Sequence, residues 1–252
     1  MLAAGLSVTG KVRPQNQDTI FVSTEPVGPL PNLFVVADGM GGHNAGDVAS
    51  SLAVSLFVEY IREQSAEPAD FLDLCVAAAA HANSRVLMLG NADTSLYGMG
   101  TTLTACYILN DQIKIVHVGD SRIYVVTADE IIQLTNDHSY VQEMVRAGYL
   151  TPRQAREHPK RNVLLRVLGG EDALETDAFT RSLKGACVVL LCSDGLHGMI
   201  RDEAIKDIIH RRVSVEERVE SLINAANEAG GHDNISVILI EYATNINESN
   251  TD

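Results

Sequence analysis

The chain has 252 residues, of which 46% are hydrophobic, and a formal net charge of −14 at pH 7. That length and apolar content allow one large domain or two small ones with a sizeable buried core. The negative balance argues against nucleic-acid binding by phosphate neutralisation, and the longest clean apolar run, ACVVLLC (186–192), is too short to cross a bilayer.

Strand-like stretches come first: GLSVTG, TIFVST and NLFVVAD. A helical block follows over 44–64, with Ala49, Leu52, Ala53, Leu56 and Tyr60 on one face. A second helix is predicted over 69–90, opened by Pro68 and Asp70 and closed by Gly90. Strand patterns resume with TTLTACYIL, QIKIVHVGD, RIYVVTAD and IIQLT, with hairpin turns at LNDQ (109–112) and TADE (127–130). From 137 to 166 the chain turns polar and basic, carrying Arg146, Arg153, Arg156, Lys160 and Arg161, and reads as an inserted cap over the main body. The core pattern returns with TDAFTRSLK and CVVLLCSDG, then helices over 201–210 and 215–229, then the strand NISVILIEYA. Residues 243–252 read as a disordered tail. Strands meet strands through short turns, and helices come in two pairs. The pattern predicts an antiparallel two-sheet core with helical outer layers, not an alternating parallel sheet.

The cysteines, Cys75, Cys106, Cys187 and Cys192, form no Cys-x-x-Cys pair and each lies in an apolar stretch. They read as small core residues in a reducing compartment. MLAAGLSVTG at the N-terminus lacks the basic and apolar segments of a secretory leader. The expectation is a cytoplasmic protein, with neither nucleic acid nor membrane as a partner.

One pattern recurs at strand ends. FVVAD ends at Asp38, IVHVGD at Asp120 and VVLLCSD at Asp194, while Asp233 stands just ahead of the last strand. Each has a neighbouring glycine. Asp-Gly alone is ordinary turn chemistry. Four such aspartates on core strands could instead converge at one end of a sandwich, where they would repel each other unless cations bind or protons neutralise them. All-oxygen ligation suits Mg2+ or Mn2+, and two such ions could activate a water for phosphoryl transfer. A dinucleotide reading fails, because Asn44 stands where G-x-G-x-x-G needs its last glycine. GMGTT (98–102) lacks the Gly-Lys pair of a P-loop.

Seven motifs then fall in one order: GKVRPQNQD (10–18), VADGMGGHNAG (36–46), GMGTTL (98–103), VGDSR (118–122), LLRVLGG (164–170), CSDGL (192–196) and GHDNIS (231–236). In this the chain, over about residues 5–242, resembles the PP2C-type metal-dependent Ser/Thr protein phosphatases in their compact bacterial form. The resemblance implies a single α+β domain over 1–242, a four-layer αββα sandwich of two antiparallel sheets flanked by helix pairs, with 137–166 as a flap beside the active site. It implies Mg2+/Mn2+-dependent hydrolysis of phosphoserine and phosphothreonine in proteins, opposing a cognate Ser/Thr kinase, by a monomer. Asp38 would bridge two metals, Gly39 would ligate one through its carbonyl, and Asp194 and Asp233 would complete the pair. Asp120 would join Asp194 around a third, weaker metal. Asp18 would hold water behind the metals, Asn234 would support Asp233, and Arg13 would grip the substrate phosphate with its flat guanidinium.

His43 has two readings, a general acid for the leaving oxygen or a cap on the helix starting near 44. The basic flap residues either meet acidic or phosphorylated substrates or only solvate the cap. Position 17 is Gln where many relatives carry Glu, Ser236 replaces a commoner Thr, and His197 reads either as a residue near the metals or as a simple turn residue. Two competing classes are a catalytically silent phosphoprotein-binding domain and a hydrolase of small phosphate esters. The silent domain should have lost a metal aspartate, and none is lost here.

Overall fold

The computed structural model describes residues 1–41, 45–64 and 71–243. In chain order the elements are β1 (Leu2–Val8), β2 (Asp18–Ser23), β3 (Leu33–Met40), α1 (Ala45–Arg62), α2 (Phe71–Ala92), β4 (Gly100–Thr101), β5 (Leu103–Leu109), β6 (Gln112–Val118), β7 (Arg122–Val126), β8 (Ile131–Gln133), α3 (Tyr140–Arg146), α4 (Pro152–Glu157), β9 (Asp177–Ser182), β10 (Cys187–Cys192), α5 (Asp194–His197), α6 (Asp202–Ile209), α7 (Val215–Glu228) and β11 (Ile235–Tyr242). Two antiparallel sheets result. A five-stranded sheet runs β1-β11-β10-β7-β8, and a six-stranded sheet runs β2-β3-β5-β6-β9 with β4 paired to β3.

Side-chain alternation explains the layers. In β3, Leu33, Val35 and Ala37 pack under α1 and α2, while Phe34 and Val36 meet the opposite sheet. In β11, Ile235, Val237 and Leu239 pack under α6 and α7, while Ile238 and Ile240 meet Phe34 and Val36 across the sandwich. Both strands are buried on both faces, which is why they read as continuous apolar runs. The order is helix pair, sheet, sheet, helix pair, as the sequence pattern predicts. All four cysteines are free and buried.

The structure departs from the predicted elements in two places. The apolar stripe Leu52, Leu56 and Tyr60 lies at the edge of the buried face of α1, whose centre is Ala49, Ala53, Phe57 and Ile61. The helix buries two sides, one on the sheet and one on α2, and Tyr60 stacks on His81 with ring centroids 5.2 Å apart. Gly90 does not close α2, which runs on to Ala92. A Cβ at Gly90 would stand 3.3 Å from the Leu96 carbonyl, so this glycine admits the following turn. The turn at Asn110–Asp111 has φ of 51° and 56°, the mirror-image turn that a two-residue hairpin needs. The predicted tail lies outside the described residues, apart from Ala243.

The segment from 137 to 166 joins neither sheet. It carries α3, capped by Ser139, and α4, opened by a Thr151–Gln154 capping box. Its root is pinned to the end of β6. The His138 backbone N–H donates to the Gly119 carbonyl at 2.7 Å, and the Gly119 N–H donates to His138 Nδ1 at 3.2 Å.

Beside that root His117 is fully buried. Its Nε2–H donates to the Asn136 carbonyl at 3.0 Å, so Nδ1 accepts from the Thr104 hydroxyl at 2.9 Å. Burial, and then the neighbouring His138, push the imidazole down to about 4. The unfolded imidazole titrates near about 6.5. Stability from neutral His117 is therefore complete above about pH 6.5 and is lost as pH falls through about 4, because the unfolded chain takes the proton first. In urea melts, His117→Gln is expected to lose less unfolding free energy than the parent between about pH 7.5 and pH 5. Equal losses would show that another group carries the acid slope.

Candidate active site and metal centre

Antiparallel pairing brings the strand-end aspartates together. Asp18 and Asp38 are direct partners across β2 and β3. Leu103 at the start of β5 pairs with Val118 at the end of β6, just ahead of Asp120. Cys192 at the end of β10 pairs with Val237 near the start of β11, which brings Asp194 beside the turn carrying Asp233. Asp38, Asp120, Asp194 and Asp233 all line one pocket of about 180 Å³, together with Arg13, Gln17, Gly39, Thr102, Asn162 and Leu164. Asp18 is buried behind them. The structure thus gathers every predicted site residue that falls among the described residues. His43 lies outside them.

Backbone contacts fix the positions. The Asp38 N–H donates to Thr102 Oγ1 at 2.8 Å, and its carbonyl accepts from the Thr102 N–H and the Thr101 hydroxyl, both at 2.9 Å. The Gly39 N–H donates to the Gln17 carbonyl at 3.1 Å. A Cβ at Gly39 would stand 2.0 Å from the Gly46 carbonyl and 2.5 Å from that of Gln17, so no other residue fits without movement. At Gly195 a Cβ would stand 1.9 Å from the Asn234 carbonyl. The glycines beside Asp38 and Asp194 therefore mark close backbone approaches rather than plain turns.

Asp18 is held by a directed chain of donors. Asn16 Nδ2 donates to Ser7 Oγ at 2.7 Å, and Ser7 Oγ lies 2.8 Å from Ser236 Oγ. Ser236 then donates to Asp18 Oδ2 at 2.7 Å, and Ser193 donates to the same oxygen at 2.8 Å. Asn234 supports Asp233 only through its backbone N–H, at 2.9 Å. Its side chain instead pins the segment carrying Arg13, donating to the Thr9 and Gln15 carbonyls and accepting from the Gln17 N–H. The sequence motifs contain Thr102, Ser193 and Ser236 but not these bonds, which exist only once the sheets are paired.

The electrostatics bear on whether cations fit. Burial, then Asp18, Asp194, Asp120 and Asp233, raise Asp38 well above the usual carboxylate range. Burial, then Asp120, Asp233 and Asp18, do the same to Asp194. Burial, then Asp137, push Asp120 up to about 7, and burial pushes Asp18 up to about 6. Asp18 Oδ1 and Asp194 Oδ1 are buried with no hydrogen-bond partner among the described residues. Bare buried carboxylate oxygens beside further carboxylates are the environment that a hard cation relieves. The side chains do not stand closed on a point, since no three His, Cys, Asp or Glu residues among those described form a ready metal cluster. The donor set is all oxygen, and it fits Mg2+ or Mn2+.

Arg13 Nη2 meets Asp233 Oδ2 at 2.6 Å, and the guanidinium side chain is 48% exposed at the mouth of the pocket. The flap cations mostly have internal partners. Arg146 pairs with Glu143, Arg153 lies 3.8 Å from Glu157, Arg156 lies 3.8 Å from Asp202, and Lys160 sits over the Tyr140 ring. His197 is not a plain turn residue. It is buried, and its Nε2–H donates to the Asp120 carbonyl at 3.1 Å. Burial, then Arg122, push its imidazole down to about 3, which keeps it neutral.

Ser193→Ala and Ser236→Ala each withdraw one hydroxyl from Asp18. Each is expected to lower the unfolding free energy by about 1–3 kcal/mol in urea melts at neutral pH. Unchanged midpoints would show that these hydroxyls do not hold the carboxyl.

The model of the protein phosphatase 2C family matches residues 11–239. The serine/threonine phosphatase stp of Listeria welshimeri is 37% identical over 236 residues, covering 92% of each chain. The solved serine/threonine phosphatase of S. agalactiae superposes with a TM-score of 0.89 at 33% identity, over 96% of this chain and 99% of that one. The catalytic domain of the phosphatase PstP, solved in complex with two manganese ions, superposes with a TM-score of 0.83 at 32% identity, over 96% of this chain and 98% of its own. With its αββα sandwich and its aspartates gathered at one end, the chain belongs to the protein phosphatase 2C family.

Proposed function

We propose that the aspartate pocket is where this protein-serine/threonine phosphatase hydrolyses phosphoserine and phosphothreonine in proteins. The observation that carries the assignment to this pocket is the convergence of Asp38, Asp120, Asp194 and Asp233 with Arg13 on one cavity. Asp38, the Gly39 carbonyl, Asp194 and Asp233 would hold two divalent cations. Bound there, the two ions supply Lewis-acid charge to the phosphoryl group and lower the pKa of a water. Asp120 and Asp194 would hold a third, weaker ion. Asp18, oriented by Ser193 and Ser236, is the hydrogen-bond acceptor behind the cluster. Arg13 binds the substrate phosphate, and a planar guanidinium can grip two of its oxygens at once. The all-oxygen donor set supports Mg2+ and Mn2+ alike.

The leaving serine or threonine oxygen needs a proton, and His43 is the residue assigned to give it. The flap supports a protein rather than a small ester as substrate, because Asn162 and Leu164 extend the pocket wall beyond the carboxylates. A cognate Ser/Thr kinase, a monomeric state and a cytoplasmic location complete the reading. Among the described residues no helix is long and apolar enough to cross a membrane.

Phosphate release from a phosphothreonine peptide tests the assignment. Turnover is expected with Mn2+ or Mg2+ and is expected to vanish in EDTA and in Asp194→Ala. Arg13→Ala should lower kcat/KM by about 10–100-fold, the worth of a charge-assisted hydrogen bond. No turnover with either metal would make the chain a phosphoprotein-binding module instead. His43→Ala should lose more rate on the phosphopeptide than on p-nitrophenyl phosphate, whose leaving group needs little protonation. Equal losses would remove His43 from the acid role.

A further inference from the structure

His197 ends α5, one helical turn after Asp194. That turn is tight, with the Gly198 N–H donating to the Asp194 carbonyl at 2.7 Å. From it the imidazole reaches the Asp120 carbonyl at 3.1 Å. A carbonyl only accepts, so Nε2 carries the hydrogen. Asp194 follows β10 of the five-stranded sheet, and Asp120 follows β6 of the six-stranded sheet. Asp120 leads directly into β7, which pairs β10, so the bond links two carboxylates of the same pocket where the chain crosses from one sheet to the other. The peptide before Asp120 is held separately, by the paired bonds from Gly119 to His138. Gly119 has a φ of 109°, a conformation only glycine adopts freely, and on the far side Ser121 is held by Thr102 and Thr104, so the His197 bond acts on the Asp120 carbonyl between two anchored neighbours. The His197 carbonyl meets Arg156 of α4 at 3.4 Å, which places the same residue against the flap.

We propose that His197 is a positioning residue that fixes Asp120 relative to Asp194, and thereby sets the affinity of the weaker cation site these two share. The inference rests on the third-ion reading given above. It differs from the roles of the aspartates themselves, since His197 meets neither substrate nor ion. It acts only through the carbonyl it holds. Partners that orient metal ligands in this way typically change affinity by about 10–100-fold when removed.

Calorimetric titration of the full chain with Mn2+ gives the number of ions and each affinity. The parent is expected to bind three ions. His197→Met, with similar reach and no N–H, should weaken the weakest by about 10–100-fold and leave the two tighter ions unchanged. His197→Gln, whose amide N–H can reach the same carbonyl, should recover most of the loss, which a merely space-filling role would not require. Equal weak-site affinity in the parent and His197→Met overturns the inference while the third ion stands. A parent that binds only two ions overturns both, and leaves the phosphatase assignment to the phosphate-release assay. If His197→Met fails to fold, the parent decides. With 15N-labelled histidine, the His197 Nε2–H resonance should move along the weakest Mg2+ isotherm. A resonance that moves with the tighter ions, or does not move, overturns the inference.

Discussion

Mutual repulsion among buried carboxylates organises this molecule. Burial and then neighbouring carboxylates raise Asp18, Asp38, Asp120 and Asp194 at one end of the sandwich, and Asp233 adds to the negative charge there. Two like charges about 4 Å apart at an effective dielectric of about 20 cost roughly 4 kcal/mol, comparable to a large part of a domain's net stability. The frame that opposes this is apolar and layered. One cluster lies under each helix pair and a third fills the space between the sheets. The inward row of β11 shows the transition, since Ile240 and Ile238 belong to the central core and Ser236 gives its hydroxyl to Asp18.

The carboxylates are held mostly by backbone and short hydroxyl contacts, not by long cationic side chains. Asp38 is set by Thr101 and Thr102, Asp18 by Ser193 and Ser236, and Asp120 by His197. Arg13 is the cation that lines the pocket, and Arg122 is committed elsewhere, forming a two-pronged pair with Asp137 at the flap root. Neutral donors orient a carboxylate without neutralising it. They leave its charge available to a cation, whereas a buried arginine would compete for the same oxygens.

Much of this was legible in the sequence because the signals are local. Continuous apolar runs marked strands buried on both faces, and Asp38, Asp120, Asp194 and Asp233 stood at their ends next to glycine. Convergence follows from antiparallel pairing within each sheet together with the face-to-face packing of the two sheets. What was not legible depends on contacts between residues far apart in the chain. Nothing near Ser236 announces Asp18, 218 positions away. Nothing near His197 announces the Asp120 carbonyl, 77 positions away. Gly90 and the Leu52 stripe misled for a related reason. Spacing reports one amphipathic face, and α1 is covered on two sides, while Gly90 serves a neighbour rather than its own helix. Arg156 of the flap could not be sorted by sequence for the same reason, because the carboxylate it faces, Asp202, lies on α6.

A chain with a formal net charge of −14 acts on an anionic substrate, and the two facts are compatible because they operate over different distances. At physiological ionic strength surface charges are screened beyond about 8 Å. The general negative field therefore contributes little at the pocket floor, where the dominant charges are those within the cavity. There the carboxylates would draw divalent cations, whose charge would offset theirs and attract the phosphate. The same clustering of carboxylates that makes the unliganded pocket electrostatically costly thus makes the occupied one attractive to phosphate. In the proposed reading Arg13 adds a directional contact at the rim, where its guanidinium lies against Asp233.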